Sequence, residues 1–514
     1  MDNITIIGGG TSGWLTALYI RQLFPESNIV LIKSTDVGIL GAGEGSVPML
    51  PTILSALKID ENELLNEVKG TFKLGISFEN WKGDGEKYIH GFDSVEIGLN
   101  TNTITTKNPI SIGLPSTNVP FYLLNLIHQN KPWENHECST TMCYSNKSPY
   151  FMFNGKVKQS VGYSYHFDAR LMAEYLEKKG ISRGIKVIDS KIKDFVTNEF
   201  GNVTNCITEE GVKIDTDFIF DCSGFHRLII GKLYKTEWVS YEKYLKVNSA
   251  IPFFLEQSKE EITPYTHAIA MKYGWMWKIP LQHRYGCGYI FDKNYISPEE
   301  AKVEVEEMLG HEITVPRVLE FSAGRYEKVW VNNCISIGLS AGFTEPIEAT
   351  SVWIQLMQLT SLNRDMLLNK QEFLVNEYND KVAYVNDEIL SFLYYHYVNE
   401  RKDTPFWSDY LKTTEVPEFL KSRLSAWKHR LINESDKNNK YGYNLFSTQS
   451  WLTVQHGNGV LDKKILNREV STMNLNQKIN AFNLNLHKNV KTVLDNSIGH
   501  MDYLNKIKKS NSLI

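Results

Sequence analysis

The chain has 514 residues, with 55 basic against 59 acidic side chains, a formal net charge of −4, and 42% hydrophobic and 12% aromatic residues. That balance lacks the concentrated basic face needed to hold nucleic acid or an anionic membrane, and no apolar run approaches the about 18 residues that span a bilayer. Neither nucleic acid nor membrane is therefore expected as a partner.

Met1-Asp2-Asn3 leads straight into Ile4-Thr5-Ile6-Ile7, without the basic and apolar regions of a secretion signal, so a cytoplasmic location is expected. Cys138, Cys143, Cys206, Cys222, Cys287 and Cys334 are scattered with no CxxC pair. Cys138-x4-Cys143 has no second ligand pair nearby and reads as two reduced thiols, so no metal is expected.

The first predicted elements are a strand from Ile4 to Ile7, the turn Gly8-Gly9-Gly10-Thr11-Ser12-Gly13-Trp14, an apolar helix pattern from Leu15 to Ile20 and a second strand from Asn28 to Lys33. Gly8-x-Gly10-x-x-Gly13 is the dinucleotide fingerprint. Its first glycine makes the turn, its second lets backbone approach a pyrophosphate, and its third lets helix pack on strand. Thr11, Ser12 and Gly13 open a helix whose N–H groups and dipole suit that pyrophosphate. Lys33-Ser34 stands where a ribose-binding acid is usually found, so a different ribose contact is expected at Lys33. The loop Gly41-Ala42-Gly43-Glu44-Gly45-Ser46-Val47-Pro48 reads either as a flexible loop or as a segment laid along a cofactor, with Gly43 and Glu44 in contact with it.

Two later strands also run into glycine turns: Lys213 to Phe220 into Asp221-Cys222-Ser223-Gly224, and Cys334 to Ile337 into Gly338-Leu339-Ser340-Ala341-Gly342. Between them, Trp275-Met276-Trp277-Lys278-Ile279-Pro280 puts two tryptophans on one face of a strand, where they can form a plain core ladder. Val352, Leu356, Leu359 and Leu362 share a helical face, helices continue through Val385 to Tyr397, and Ile465 to Ile514 reads as terminal helices. The fold class expected is mixed α/β, a Rossmann-type FAD/NAD(P)-binding fold. Its discontinuous FAD-binding body is expected over 1–80, 155–235 and 325–365, with an inserted substrate module over 81–154 and 236–324 and a helical C-terminal part over 366–514.

Gly8-to-Trp14, the Gly41-to-Pro48 loop, Lys73 in Thr71-Phe72-Lys73-Leu74-Gly75-Ile76, Tyr165-to-Ala169, Asp221-to-Phe225, Trp275-to-Pro280, Glu345-to-Thr350 and Asp403-to-Trp407 together resemble the flavin-dependent halogenases. Trp-x-Trp-x-Ile-Pro is the element that separates that family from the related flavin hydroxylases. The resemblance implies the flavin monooxygenase type of fold and an FADH2- and O2-dependent halogenation of an electron-rich aromatic substrate of the indole or phenol type. In that chemistry a flavin C4a-hydroperoxide is attacked by a halide ion, and the hypohalous acid is relayed through a tunnel to a lysine. FAD, O2 and halide are thus the implied cofactors, and a separate NAD(P)H-dependent flavin reductase is the implied partner. Homodimers are common among similar proteins.

By the same resemblance, Lys73 and Glu348 are the catalytic residues, and Gly338 and Leu339 join the fingerprint in cofactor binding. Thr350 and Ser351 bind halide through backbone N–H groups, and Trp275, Trp277, Ile279 and Pro280 wall the tunnel. His90, Phe92 and Trp451 lie at the substrate pocket. On the residues alone, Lys73 can equally be a snorkelling lysine, and Glu348 an acid favoured by a helix dipole. Family members commonly carry Ser-Thr-Gly after the glutamate where this chain has Ala349-Thr350-Ser351, so chloride, bromide and iodide all stay open. The stretch Tyr441 to Trp451 lacks an acidic partner for an α-amino group, which argues against free tryptophan. Tyr88, Phe121 and Tyr122 are further candidates for an aromatic pocket. A flavin hydroxylase and a non-catalytic FAD-binding redox sensor are the alternatives.

Overall fold

In the computed structural model, which describes residues 1–38, 43–92, 127, 138–257, 262–436, 440–441, 446–472 and 490–511, the strand Asn3–Ile7 lies inside a six-stranded sheet. Its order is Lys186–Asp189, Asn28–Lys33, Asn3–Ile7, Phe218–Asp221, Cys334–Ser336 and Trp330–Val331. All neighbours pair in parallel except the last two. Parallel strands need cover on both faces and therefore read as continuous apolar runs; Ile4, Ile6, Ile29, Leu31, Phe218, Ile219 and Phe220 are all fully buried. The helix Thr11–Leu23 packs on this sheet and Ala169–Ser182 packs on that helix; a Cβ on Gly180 would stand 2.4 Å from the Trp14 ring, so the missing side chain sets how closely the two helices pack.

The chain divides into two compact units. The first comprises Met1–Gly70, Tyr165–Asn248 and Glu320–Ile389, and the second Thr71–Ser164, Ser249–Leu319 and Leu390–Ile514. Of the C-terminal part expected over 366–514, residues from 390 onward thus group with most of the segments expected as inserted, and 366–389 group with the first unit. All three strands that run into glycine turns are neighbours in the first unit's sheet.

One predicted strand is two. Lys213–Asp215 pairs in a small antiparallel sheet, whereas Phe218–Asp221 enters the main sheet. Between them Thr216 Oγ1 donates to the Phe218 carbonyl at 2.9 Å, and the Asp217 carboxylate accepts the N–H groups of Asp2 and Asn3 at 2.7 and 2.9 Å. These side-chain bonds replace ladder bonds and bend the chain out of one sheet and into the next.

In the second unit, Ser249–Glu256, Arg284–Phe291, Gly274–Pro280, Thr266–Met271, Gly75–Glu79 and Lys87–Gly91 follow one another across a mixed sheet. Only Thr266–Met271 and Gly75–Glu79 run parallel among these. The helix Pro298–Leu309, opened by a Ser297/Glu300 capping box, closes one core over Ile251, Met276, Tyr289 and Phe291. The chain's end is not purely helical as expected. Ser497–Gly499 pairs antiparallel with Lys147–Phe153 before the helix His500–Asn511 begins. Among the described residues no helix is long and apolar enough to cross a membrane, and no His, Cys, Asp and Glu cluster has the makings of a metal site. All six cysteines are buried free thiols.

Candidate active site

The fingerprint turn in the first unit is held by steric necessity. Gly8 has φ +117, and a Cβ there would sit 2.2 Å from the Cys222 carbonyl oxygen; one on Gly13 would sit 1.8 Å from the Gly8 oxygen. Gly10 differs, because nothing lies within 4 Å of where its Cβ would point, so its backbone is open to a ligand. Gly10 is also the N-cap of the helix Thr11–Leu23, with no side-chain cap and no acid in the first turn. Such a helix start leaves its N–H groups for an anion. Thr11 Oγ1 is buried without a hydrogen-bond partner among the described residues.

Gly338 (φ +69) abuts this turn, since its Cβ would stand 2.9 Å from Ser12 Oγ. Its N–H donates to Gln358 Oε1 at 3.0 Å, and Leu339, beside it, is partly exposed. Asp221, fully buried, accepts from the N–H groups of Ser223 and Ile229, while burial pushes its carboxyl up. Lys33, expected at the ribose, has its ammonium paired with Glu177 at 2.7 Å, and the space a Gly9 Cβ would take is filled by the Lys33 stem.

Glu44 sits on the short strand Glu44–Gly45, opposite Phe167 and His166, and Gly43 before it is buried. Burial and then the charge of Asp168 push the Glu44 carboxyl up to about 7. Asp168 is itself fixed as the N-cap of Ala169–Ser182, accepting from the N–H groups of Arg170 and Leu171. Gly41 and Ala42 lie outside the described residues.

A second uncapped helix start follows Glu348. The Ala349 N–H donates to the Pro346 carbonyl at 3.0 Å, and Ala349 takes the left-handed conformation, φ +55 and ψ 31, as N-cap of Thr350–Thr360. Glu348 is buried, Thr350 Oγ1 lies 3.3 Å from Thr344 Oγ1, and Ser351 Oγ is buried without a hydrogen-bond partner among the described residues. The helix dipole and free N–H groups at Thr350 and Ser351 favour a small anion.

In the second unit Lys73 ends the strand Thr71–Lys73, is only 1% exposed, and has its ammonium 5.5 Å from the Phe92 ring centroid. A snorkelling lysine would reach water, and this one does not. Thr71 Oγ1 donates to the Pro280 carbonyl at 2.7 Å, which ties the lysine's strand to Trp275–Pro280. Trp275 is buried and Trp277 partly exposed, their rings edge to face at 6.3 Å; Gly288 on the facing strand makes room, as a Cβ there would fall 2.1 Å from the Trp277 ring. Ile279 is buried beside them.

Phe392 joins His90 and Trp451: its ring lies 5.9 Å from His90 and 4.8 Å from Trp451. Trp451 also packs on Tyr395 and Trp427. Tyr88 belongs to the core, stacked on Phe78 at 5.0 Å and donating to Asn458 Oδ1. Phe121, Tyr122 and Gly442 to Leu445 lie outside the described residues. Gln358 and Phe392 were not singled out by sequence reasoning, and Asp168 entered it only within the Tyr165-to-Ala169 motif, with no role of its own. Asp168 carried a readable signal, as an acid directly before a helical pattern.

The family model described as tryptophan halogenase matches residues 3–472. The chain belongs to the tryptophan halogenase family. This halogenase is 30% identical to the tryptophan 6-halogenase SttH of Streptomyces toxytricini over 494 residues, 90% of each chain. It is 31% identical to the tryptophan 7-halogenase RebH of Lentzea aerocolonigenes over 427 residues, 79% of this chain and 78% of that one. A solved flavin-dependent halogenase from Xanthomonas campestris matches the halogenase's fold with a TM-score of 0.82 at 26% identity, covering 98% of both chains. Flavin dependence places the halogenase among the oxidoreductases. The residues present fit an FAD: the open Gly10 backbone, the uncapped start of Thr11–Leu23 and the unpartnered Thr11 hydroxyl are donors suited to its pyrophosphate.

Proposed function

We propose that this halogenase installs chloride, bromide or iodide on an electron-rich aromatic substrate of the indole or phenol type, using FADH2 from a separate NAD(P)H-dependent flavin reductase and O2. When bound, the reduced flavin supplies the electrons with which O2 is reduced as halide is oxidised to the level of a hypohalous acid. Gly8, Gly10, Thr11, Ser12, Gly13, Gly43, Glu44, Gly338 and Leu339 hold the cofactor. The N–H groups of Thr350 and Ser351 hold the halide.

The observation that carries the reading is the burial of Lys73, which is only 1% exposed as a residue and whose ammonium faces the Phe92 ring. An amine held away from water serves oxidant chemistry in either of two ways. It donates a hydrogen bond that makes the halogen more electrophilic, or it carries the halogen as a haloamine. Glu348 accepts the proton that the arene loses once the carbon–halogen bond has formed. Trp275 and Trp277 exclude water and keep the arene from competing oxygenation. His90, Phe92 and Trp451 supply aromatic surface for the substrate. Replacing Lys73 with Met tests the assignment: arene halogenation is lost while FAD affinity, read by flavin fluorescence, stays at the wild-type value. Retained halogenation would remove Lys73 from the mechanism.

A further inference from the structure

The strand that bears Lys73 is pinned at each flanking residue. Thr71 Oγ1 donates to the Pro280 carbonyl, the Leu74 N–H donates to the Pro264 carbonyl at 2.7 Å, and the Phe92 N–H donates to the Leu74 carbonyl at 2.8 Å. On the other side of the lysine, the contact comes from the far end of the chain. The Phe72 N–H donates to His500 Nε2 at 3.2 Å, across a separation of 428 residues.

His500 is completely buried and begins the helix His500–Asn511. Its own N–H donates to the Asn146 carbonyl, and its Nδ1 lies 2.9 Å from the Ile262 carbonyl oxygen. A carbonyl can only accept and an amide N–H can only donate, so Nδ1 carries the proton and Nε2 offers its lone pair. The ring is thus a neutral bridge of one defined tautomer between two backbone segments. The same terminal helix supplies Tyr503, whose ring meets the Phe72 ring edge to face at 5.4 Å, alongside Tyr150 and Tyr163. Successive side chains of a strand point to opposite faces. Clamping both the N–H and the ring of Phe72 therefore fixes the direction in which its neighbour Lys73 projects.

We propose that His500 is a positioning residue for Lys73: it acts through the Phe72 N–H and touches none of the reacting atoms. The proposal rests on the halogenase reading above, and its test separates the two. His500→Phe keeps the ring and removes both nitrogens, whereas His500→Gln keeps an acceptor and a donor.

With reduced FAD, O2, bromide and indole as the probe, H500F should lower kcat for bromoindole by on the order of 10- to 100-fold, as expected for a displaced reacting group. KM and FAD affinity should stay unchanged. The ratio of oxidant trapped by monochlorodimedone to bromoindole formed should rise, and H500Q should restore most of kcat. In hydrogen exchange the amides of Phe72, Lys73 and Leu74 should lose protection in H500F and keep it in H500Q. In wild-type protein carrying 15N-labelled histidine, His500 should show the Nδ1–H tautomer, a readout that stands even if H500F does not fold. Wild-type turnover in H500F, equal impairment of H500Q and H500F, or an Nε2–H tautomer would overturn the proposal. If the wild type makes no bromoindole, the halogenase reading falls, and the exchange and tautomer results alone decide the anchoring.

Discussion

The helices Thr11–Leu23 and Thr350–Thr360 both start at tight turns without a side-chain cap, yet the turns are built from opposite materials. At the first, glycines stand where a Cβ would run into backbone, 2.2 Å from the Cys222 oxygen at Gly8 and 1.8 Å from the Gly8 oxygen at Gly13. At the second, an alanine holds φ +55, a left-handed conformation that disfavours an L-residue by about 1–2 kcal/mol. The first turn has the shape its residues demand. The second is held against its preference by what surrounds it, the pattern seen where backbone strain serves a function.

Substitutions can break this contrast. Gly13→Ala should have the largest effect: the new Cβ meets a backbone oxygen that cannot move independently, so thermal unfolding should report a loss of about 3 kcal/mol or more. Unchanged stability would mean that the first turn is not sterically locked. Gly10→Ala should separate fold from ligand, because nothing crowds its Cβ and its φ of −81 suits alanine. FAD-free stability should hold within about 1 kcal/mol, while FAD binding weakens on the order of tenfold, about 1.4 kcal/mol. An unaltered FAD affinity in a fluorescence titration would move the pyrophosphate away from Gly10. Ala349→Gly should have the smallest effect and the opposite sign, a gain of up to about 1 kcal/mol in unfolding free energy, read from denaturant unfolding, as the left-handed strain is relieved. A loss there would show that the alanine methyl packs usefully at the helix start.

The same contrast explains what could be read in advance. Apolar runs leading into glycine turns are local signals with strong backbone meaning, so three strands spread over more than 300 residues could be grouped together, and they lie side by side in one sheet. Strain at Ala349 carries no such mark, since alanine is ordinary in any helix. Lys33 shows what position alone does not reveal: at the end of the second strand its ammonium is engaged by Glu177, 144 residues away. The break at Thr216 and Asp217 depends on side-chain bonds that outcompete a β-pattern. His500 was invisible for a related reason. Its partners, the Phe72 N–H and the Ile262 carbonyl, are backbone groups that any residue could supply, so nothing in their sequence points to a histidine near the chain's end.

The central claim is that this chain transfers oxidised halogen to an arene. Mass spectrometry of products formed from indole and from phenol, with reduced FAD, O2 and each of chloride, bromide and iodide, tests it most directly. One ring hydrogen should be replaced by the supplied halogen, with no such product when halide is omitted. A product that gains one oxygen whether or not halide is present would contradict it and make the enzyme a hydroxylase.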